Sequence, residues 1–134
     1  MIKILNILNE LESKVLYSAV VLHDDSKQQL LNTFSDLIPS DWKKFAHHMT
    51  IAFGKGVENP DELGKEVTLK VTELGVSDMA IAARVEGYQS SNAIPHITLA
   101  INPNGGKPKD SNLIKDWKQI KPFTISGIVT NIIK

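Results

Sequence analysis

The sequence contains no cysteine. That excludes a disulfide framework, a Cys-based zinc site and a thiol nucleophile, and is compatible with a reducing compartment. An excess of one charge is also missing, because Lys plus Arg number 15 and Asp plus Glu number 15. A non-specific duplex-DNA binder carries a basic excess, so no duplex-DNA partner is expected. A small anionic ligand needs only a local patch. No apolar run approaches the roughly 18 residues of a membrane span. The opening Met1-Ile2-Lys3-Ile4-Leu5 lacks the apolar stretch and small-residue cleavage site of a signal peptide. A soluble, cytoplasmic protein without a membrane partner is the expectation. No linker or low-complexity tract interrupts the 134 residues, a length that fits one domain, 1–134.

Patterning supplies the elements. Ile4, Leu5, Leu8 and Leu11 recur at helical spacing, which predicts a short helix over 2–12. Leu16 to Leu22 is β-branched and apolar and reads as a buried strand. Asp24, Asp25 and Ser26 offer an N-cap to a helix carrying Leu30, Leu31, Phe34 and Leu37, ended by Pro39. Strands follow over His48 to Phe53, Glu66 to Gly75, Met79 to Val85, Pro95 to Asn102 and Pro122 to Ile133, with a helical turn at Asn59-Pro60. Glu66–Gly75 and Met79–Val85 form an antiparallel hairpin about Gly75–Asp78. Asp110 or Ser111 caps a short helix carrying Ile114 and Trp117. The sum is an α+β domain with mostly antiparallel strands.

The most informative feature is a repeat. Residues 48–53 read His-Met-Thr-Ile-Ala-Phe and residues 96–101 read His-Ile-Thr-Leu-Ala-Ile. Positions i and i+2 of a strand share a face. His48, Thr50 and Ala52 therefore point one way, and Met49, Ile51 and Phe53 the other; the second copy divides identically. Each strand offers an apolar face to the core and an opposite face with one imidazole and one hydroxyl. Taken singly, each motif reads as a Thr-rich strand with a satisfied His. Taken together, the pair points to chemistry.

Cleaving a phosphodiester needs a base, an acid and a hold on the anionic phosphorus centre. Histidine titrates near neutrality, so one copy can be neutral while the other is charged. The neutral imidazole takes a proton from the attacking oxygen and the imidazolium gives one to the leaving oxygen. Threonine hydroxyls donate to the non-bridging oxygens. Two identical strands related by a pseudo-two-fold would set one His on each side of a phosphate. No cofactor and no metal are expected, since two His without a nearby carboxylate make a weak metal site. Which His is base and which is acid stays open at this point.

Paired His-x-Thr strands resemble the 2H phosphoesterase superfamily, and the likeness covers most of the chain. It implies two similar α+β lobes facing each other across a central groove, with His48, Thr50, His96 and Thr98 as the catalytic set. Leu16–Leu22, His47–Ile51, Ile94–Ala100 and Gly106–Ser111 are similar to small phage-encoded members that cleave cyclic di- and trinucleotides and disarm the bacterial CBASS defence. That likeness implies a cyclic oligonucleotide such as cGAMP, cut at a 3′–5′ linkage in the host cytoplasm, as the small-molecule partner. A 2′,3′-cyclic phosphodiesterase of RNA ends and a nucleotide-sequestering module without catalysis are the alternatives.

Other residues carry two readings each. Tyr17 either stacks on a base or is a half-buried strand residue. Lys107 and Lys109 either neutralise phosphate or form a solvated loop pair. Trp117 reads as a core anchor, and Trp42 lines the groove or caps the core. His47 points away from the motif face if its strand is regular, which makes it structural or a support behind the motif residues. His23 reads as a surface residue, and Ser90-Ser91-Asn92 either touch ligand or form a plain loop, the loop being favoured.

Overall fold

The computed structural model describes residues 15–133; the helix expected over 2–12 lies outside them. The alternating runs become strands β1 (Val15–Leu22), β2 (Lys43–Lys44), β3 (His48–Phe53), β4 (Glu66–Val76), β5 (Ala80–Glu86), β6 (His96–Ile101) and β7 (Asp116–Ile133). One helix, α1 (Asp24–Thr33), and 3-10 turns at Ser35–Leu37, Pro60–Glu62 and Pro108–Leu113 complete the described elements. Asn59 starts the second of these turns by accepting a hydrogen bond from the Asp61 amide at 3.0 Å.

The strands pair in the order β2-β6-β3-β1-β7-β4-β5, and β5 also pairs with β6. That last pairing closes β6-β3-β1-β7-β4-β5 into a six-stranded barrel, antiparallel throughout. The mostly antiparallel expectation holds. The two-lobed α+β expectation does not: the described residues are mainly β with one short helix, and the two His-x-Thr strands are neighbours in one closed sheet. Closure explains this, because each apolar strand face finds its core inside the barrel and no edge is left to found a second lobe.

Val20, Met49, Leu69, Val71, Val85, Ile97, Leu99 and Val129 fill the main core. Leu30 and Phe34 of α1 join it, and the Ser126 amide donates to the Ser26 hydroxyl at 2.9 Å, fastening α1 to β7. Ala80, Ala82, Ile101 and Ile114, with Phe45 and Trp117 against them, make a smaller cluster beside the Pro108–Leu113 turn.

The helix expected to carry Ile114 and Trp117 is absent. Pro108–Leu113 tightens into 3-10 turns, Ile114 is extended, and β7 begins at Asp116. Trp117 sits opposite Gly75 on β4, where a Cβ would come within 2.7 Å of the indole. The flat seat over a glycine, and an indole N–H donated to the Ile114 carbonyl at 3.1 Å, favour strand over helix there.

Both repeated strands carry a bulge at the same place. On β3 the partners step from Ala19↔Thr50 to Ser18↔Ala52, leaving Ile51 as the extra residue. On β6 they step from Ala82↔Thr98 to Ile81↔Ala100, leaving Leu99 extra. A bulge inverts the side-chain alternation beyond it.

Candidate active site

β3 and β6 meet through one described register pair, Met49↔Ile97, and both side chains are fully buried in the core. The residues on either side of that pair therefore face outward together. His48, Thr50, His96 and Thr98 line one pocket of about 700 Å³. The pair does not extend because the chain entering β6 inserts beside β3. The Ser90 hydroxyl donates to the Thr50 carbonyl at 2.8 Å, and the Ser91 amide to the Ile51 carbonyl at 2.7 Å.

The two imidazoles are held differently. His96 is only 8% exposed, and its Nδ1 donates to the Ile94 carbonyl at 2.8 Å. A carbonyl only accepts, so the His96 Nδ1 carries a proton and Nε2 is the atom that can exchange one with a ligand. His48 is half-buried, its Nδ1 lies 2.9 Å from the Nδ1 of His47, and Tyr17 covers it with ring centroids 5.0 Å apart. Burial, with the neighbouring charges of His47 and His96, pushes the His48 pKa down to about 4. Burial also lowers that of His96, while the Ile94 carbonyl opposes the shift by favouring the charged ring. Burial raises the Tyr17 pKa, so its phenol stays protonated.

This pairing makes stability depend on pH. Unfolded His48 binds its proton with the ordinary value of 6.5 and folded His48 only near 4. Between those values the unfolded state holds more protons, so stability falls as pH drops through that window, by about 3 kcal/mol in the limit for His48 alone. Urea unfolding at pH 7 and pH 4 should show the loss, and His48→Ala should remove most of that slope. An unchanged slope in the variant would place the acid sensitivity elsewhere.

Of the other residues singled out in the sequence, Tyr17 and Lys109 line the pocket and Lys107 does not. The Lys107 amide instead donates to the Asp110 carboxylate at 2.8 Å, opening the 3-10 turn, and its side chain is exposed. His47 was expected to point away; it lines the pocket. Its strand is not regular, because Ala46 adopts φ 54° and breaks the alternation before β3 begins. Phe53 was expected on the core face, yet it is 84% exposed at the pocket, turned over by the bulge at Ile51. Asn92 lines the pocket although its segment read as a loop. His23 sits elsewhere, 2.8 Å from Glu66, and Trp42 packs on the main core.

Phe45, Pro108 and Asn112 complete the pocket lining and escaped the sequence reading. Ser111, read from the sequence as a helix cap, is 1% exposed. Its hydroxyl lies 2.8 Å from the Thr98 hydroxyl, so it orients that group and anchors the 3-10 turn to β6. The local signal was a serine after a Pro-initiated turn. Among the described residues no three His, Cys, Asp or Glu side chains gather into a metal-holding group, and no helix is long and apolar enough to cross a membrane.

An outward pair of imidazoles with hydroxyls beside them is the equipment of a phosphodiester-cleaving hydrolase, and comparison with known proteins agrees. The family model of the fungal tRNA ligase phosphodiesterase domain matches residues 12–133, and the chain belongs to that family. It is a hydrolase of the phosphodiesterase type. No curated protein matches it.

Proposed function

We propose that the protein opens 2′,3′-cyclic phosphates at RNA ends, with His48 as general base and His96 as general acid. The observation that supports this most is the state of the two rings. His48 is held neutral, so its lone pair is available at neutral pH. Burial lowers the His96 pKa, the Ile94 carbonyl that accepts from its Nδ1 opposes that shift, and an incoming phosphate anion favours the charged ring that the acid role needs. Water loses a proton to His48 Nε2 as its oxygen bonds to phosphorus. The bond from phosphorus to one ribose oxygen breaks, and that oxygen takes the proton of His96 Nε2. The product is a phosphomonoester. The hydroxyls of Thr50 and Thr98 donate to the non-bridging oxygens, Tyr17 offers a ring to a base, and Lys109 supplies positive charge. The RNA-end substrate follows the family, whose described activity belongs to a tRNA ligase.

A second reading is cleavage of a 3′–5′ linkage in a cyclic di- or trinucleotide. The 700 Å³ of the pocket, lined by the three aromatic rings of Tyr17, Phe45 and Phe53, leaves room for more than one nucleotide. Incubating the protein with 2′,3′-cyclic AMP, a 2′,3′-cyclic-ended oligoribonucleotide and a panel of cyclic dinucleotides, all with EDTA, separates the two. Mass spectrometry should show ring opening of the first two and intact cyclic dinucleotides. Turnover of the cyclic dinucleotides alone would replace the first reading with the second. Turnover only after metal is restored would remove the His/His mechanism.

A further inference from the structure

The two copies of the motif differ in what precedes the histidine. Before His96 stands Pro95, and the Ile94 carbonyl fixes the His96 Nδ1 proton. Before His48 stands His47, and no carbonyl is in that role: the partner of the His48 Nδ1 is the Nδ1 of His47, at 2.9 Å, with the rings edge-on at 81°. Two nitrogens at that distance share one proton, since two donors or two lone pairs would repel.

The backbone holds His47 in place at a cost. Ala46 is a fully buried residue at φ 54°, a conformation about 1–2 kcal/mol unfavourable for a residue with a Cβ. It persists because it is fixed from both sides. The Ala46 amide donates to the Thr98 carbonyl at 2.9 Å, and the His47 carbonyl accepts from the Leu22 amide at 2.9 Å. The local strain aims an exposed imidazole at the motif histidine rather than at solvent.

We propose that His47 is a positioning residue, which accepts the Nδ1 proton of His48 and so leaves the Nε2 lone pair of His48 facing the pocket. This rests on the reading of His48 as base. It makes His47 the counterpart, in the first copy, of the Ile94 carbonyl in the second. Unlike a carbonyl, an imidazole can lose its acceptor. When His47 is protonated its Nδ1 only donates, His48 must accept there, and the one proton of neutral His48 moves to Nε2. The base is then blocked although His48 itself is uncharged. The other titratable groups lining the pocket, His96 on β6, Tyr17 on β1 and Lys109 on the 3-10 turn, do not contact the His48 Nδ1.

The test is the His48 tautomer, read from imidazole ¹⁵N shifts in the ligand-free, full-length chain, together with kcat, KM and pH profiles of His47→Ala and His47→Asn. At neutral pH the parent protein should carry the Nδ1–H form. The Asn amide oxygen can accept that proton and does not itself titrate, so His47→Asn should retain the tautomer and most of kcat, and should lose whatever part of the parent's acid-side decline comes from protonation at position 47. His47→Ala should shift towards the Nε2–H form. Its kcat should fall at least about tenfold, part of the roughly 10²–10⁴-fold a placed base supplies, with KM changed by no more than about twofold. An Nε2–H form of His48 in the parent protein, or a His47→Ala variant with parental kcat and pH profile, would overturn the inference. So would a His47→Asn variant no better than His47→Ala. The tautomer is read without substrate, so a failure of the phosphodiesterase reading shows separately.

Discussion

His48→Ala and His96→Ala should each lower kcat by at least about 10³-fold, near the upper part of what a positioned acid or base contributes. Both rings line one pocket, and the proposed reaction passes a proton through each. Removing either leaves the other without a function in the same turnover, so the double variant should be about as slow as either single one. In the proposed reaction, substrate is held mainly by Lys109, Tyr17 and the hydroxyls, so KM should move much less than kcat. Thr50→Val and Thr98→Val should each cost about 10²-fold, as expected for one donor to the developing charge. Thr98→Val should in addition lower the melting temperature, because it strips the buried Ser111 hydroxyl of its partner at 2.8 Å. Steady-state kinetics beside thermal melts reads all of these. Parental kcat in both His→Ala variants would remove the mechanism.

Gly127→Ala should be among the most destabilising single substitutions in the barrel. Gly127 pairs with Leu22 of β1 and Val67 of β4. A Cβ there would lie 2.4 Å from the Val21 carbonyl oxygen, 2.8 Å from its carbon and 3.0 Å from a Val20 methyl. The first two are backbone atoms of a strand paired on both sides, so no rotamer change relieves the clash. Relief requires β1 and β7 to move apart. Overpacked cores commonly lose about 1–3 kcal/mol and occasionally more, and a backbone obstacle puts Gly127→Ala at or above the top of that range. Urea unfolding checks it: a midpoint within error of the parent would mean that β1 and β7 can separate freely. β1 also carries Tyr17, so the variant should lose activity along with stability.

Much of this was legible because periodicity reports burial. The repeat at 48–53 and 96–101 placed Met49 and Ile97 inside and the His and Thr pairs outside, and the structure does the same. The Glu66–Gly75 and Met79–Val85 runs paired as expected. The illegible parts arise from interruptions of periodicity. A bulge adds one residue without changing composition, so Phe53 was assigned to the wrong face. A positive φ at an alanine leaves no mark in sequence, so His47 was turned away from the pocket it lines. Barrel closure is a long-range event between β5 and β6, and local patterning fits a two-lobed arrangement equally well. Trp117 looked helical by spacing from Ile114, but its partner is a glycine more than forty positions earlier. Lys107 and Lys109 are chemically alike, and only the turn between them decides which one reaches the site.

Elsewhere around the barrel, long ladders join neighbouring strands, while among the described residues β3 and β6 share the one register pair Met49↔Ile97. A phosphate gripped by Thr50 and His48 from one strand, and by Thr98 and His96 from the other, would act as a rung that the backbone leaves out. Substrate then braces the cylinder at its least supported gap, and the free energy of binding becomes free energy of folding. The empty protein would be the looser form of the two, widest where the chemistry occurs.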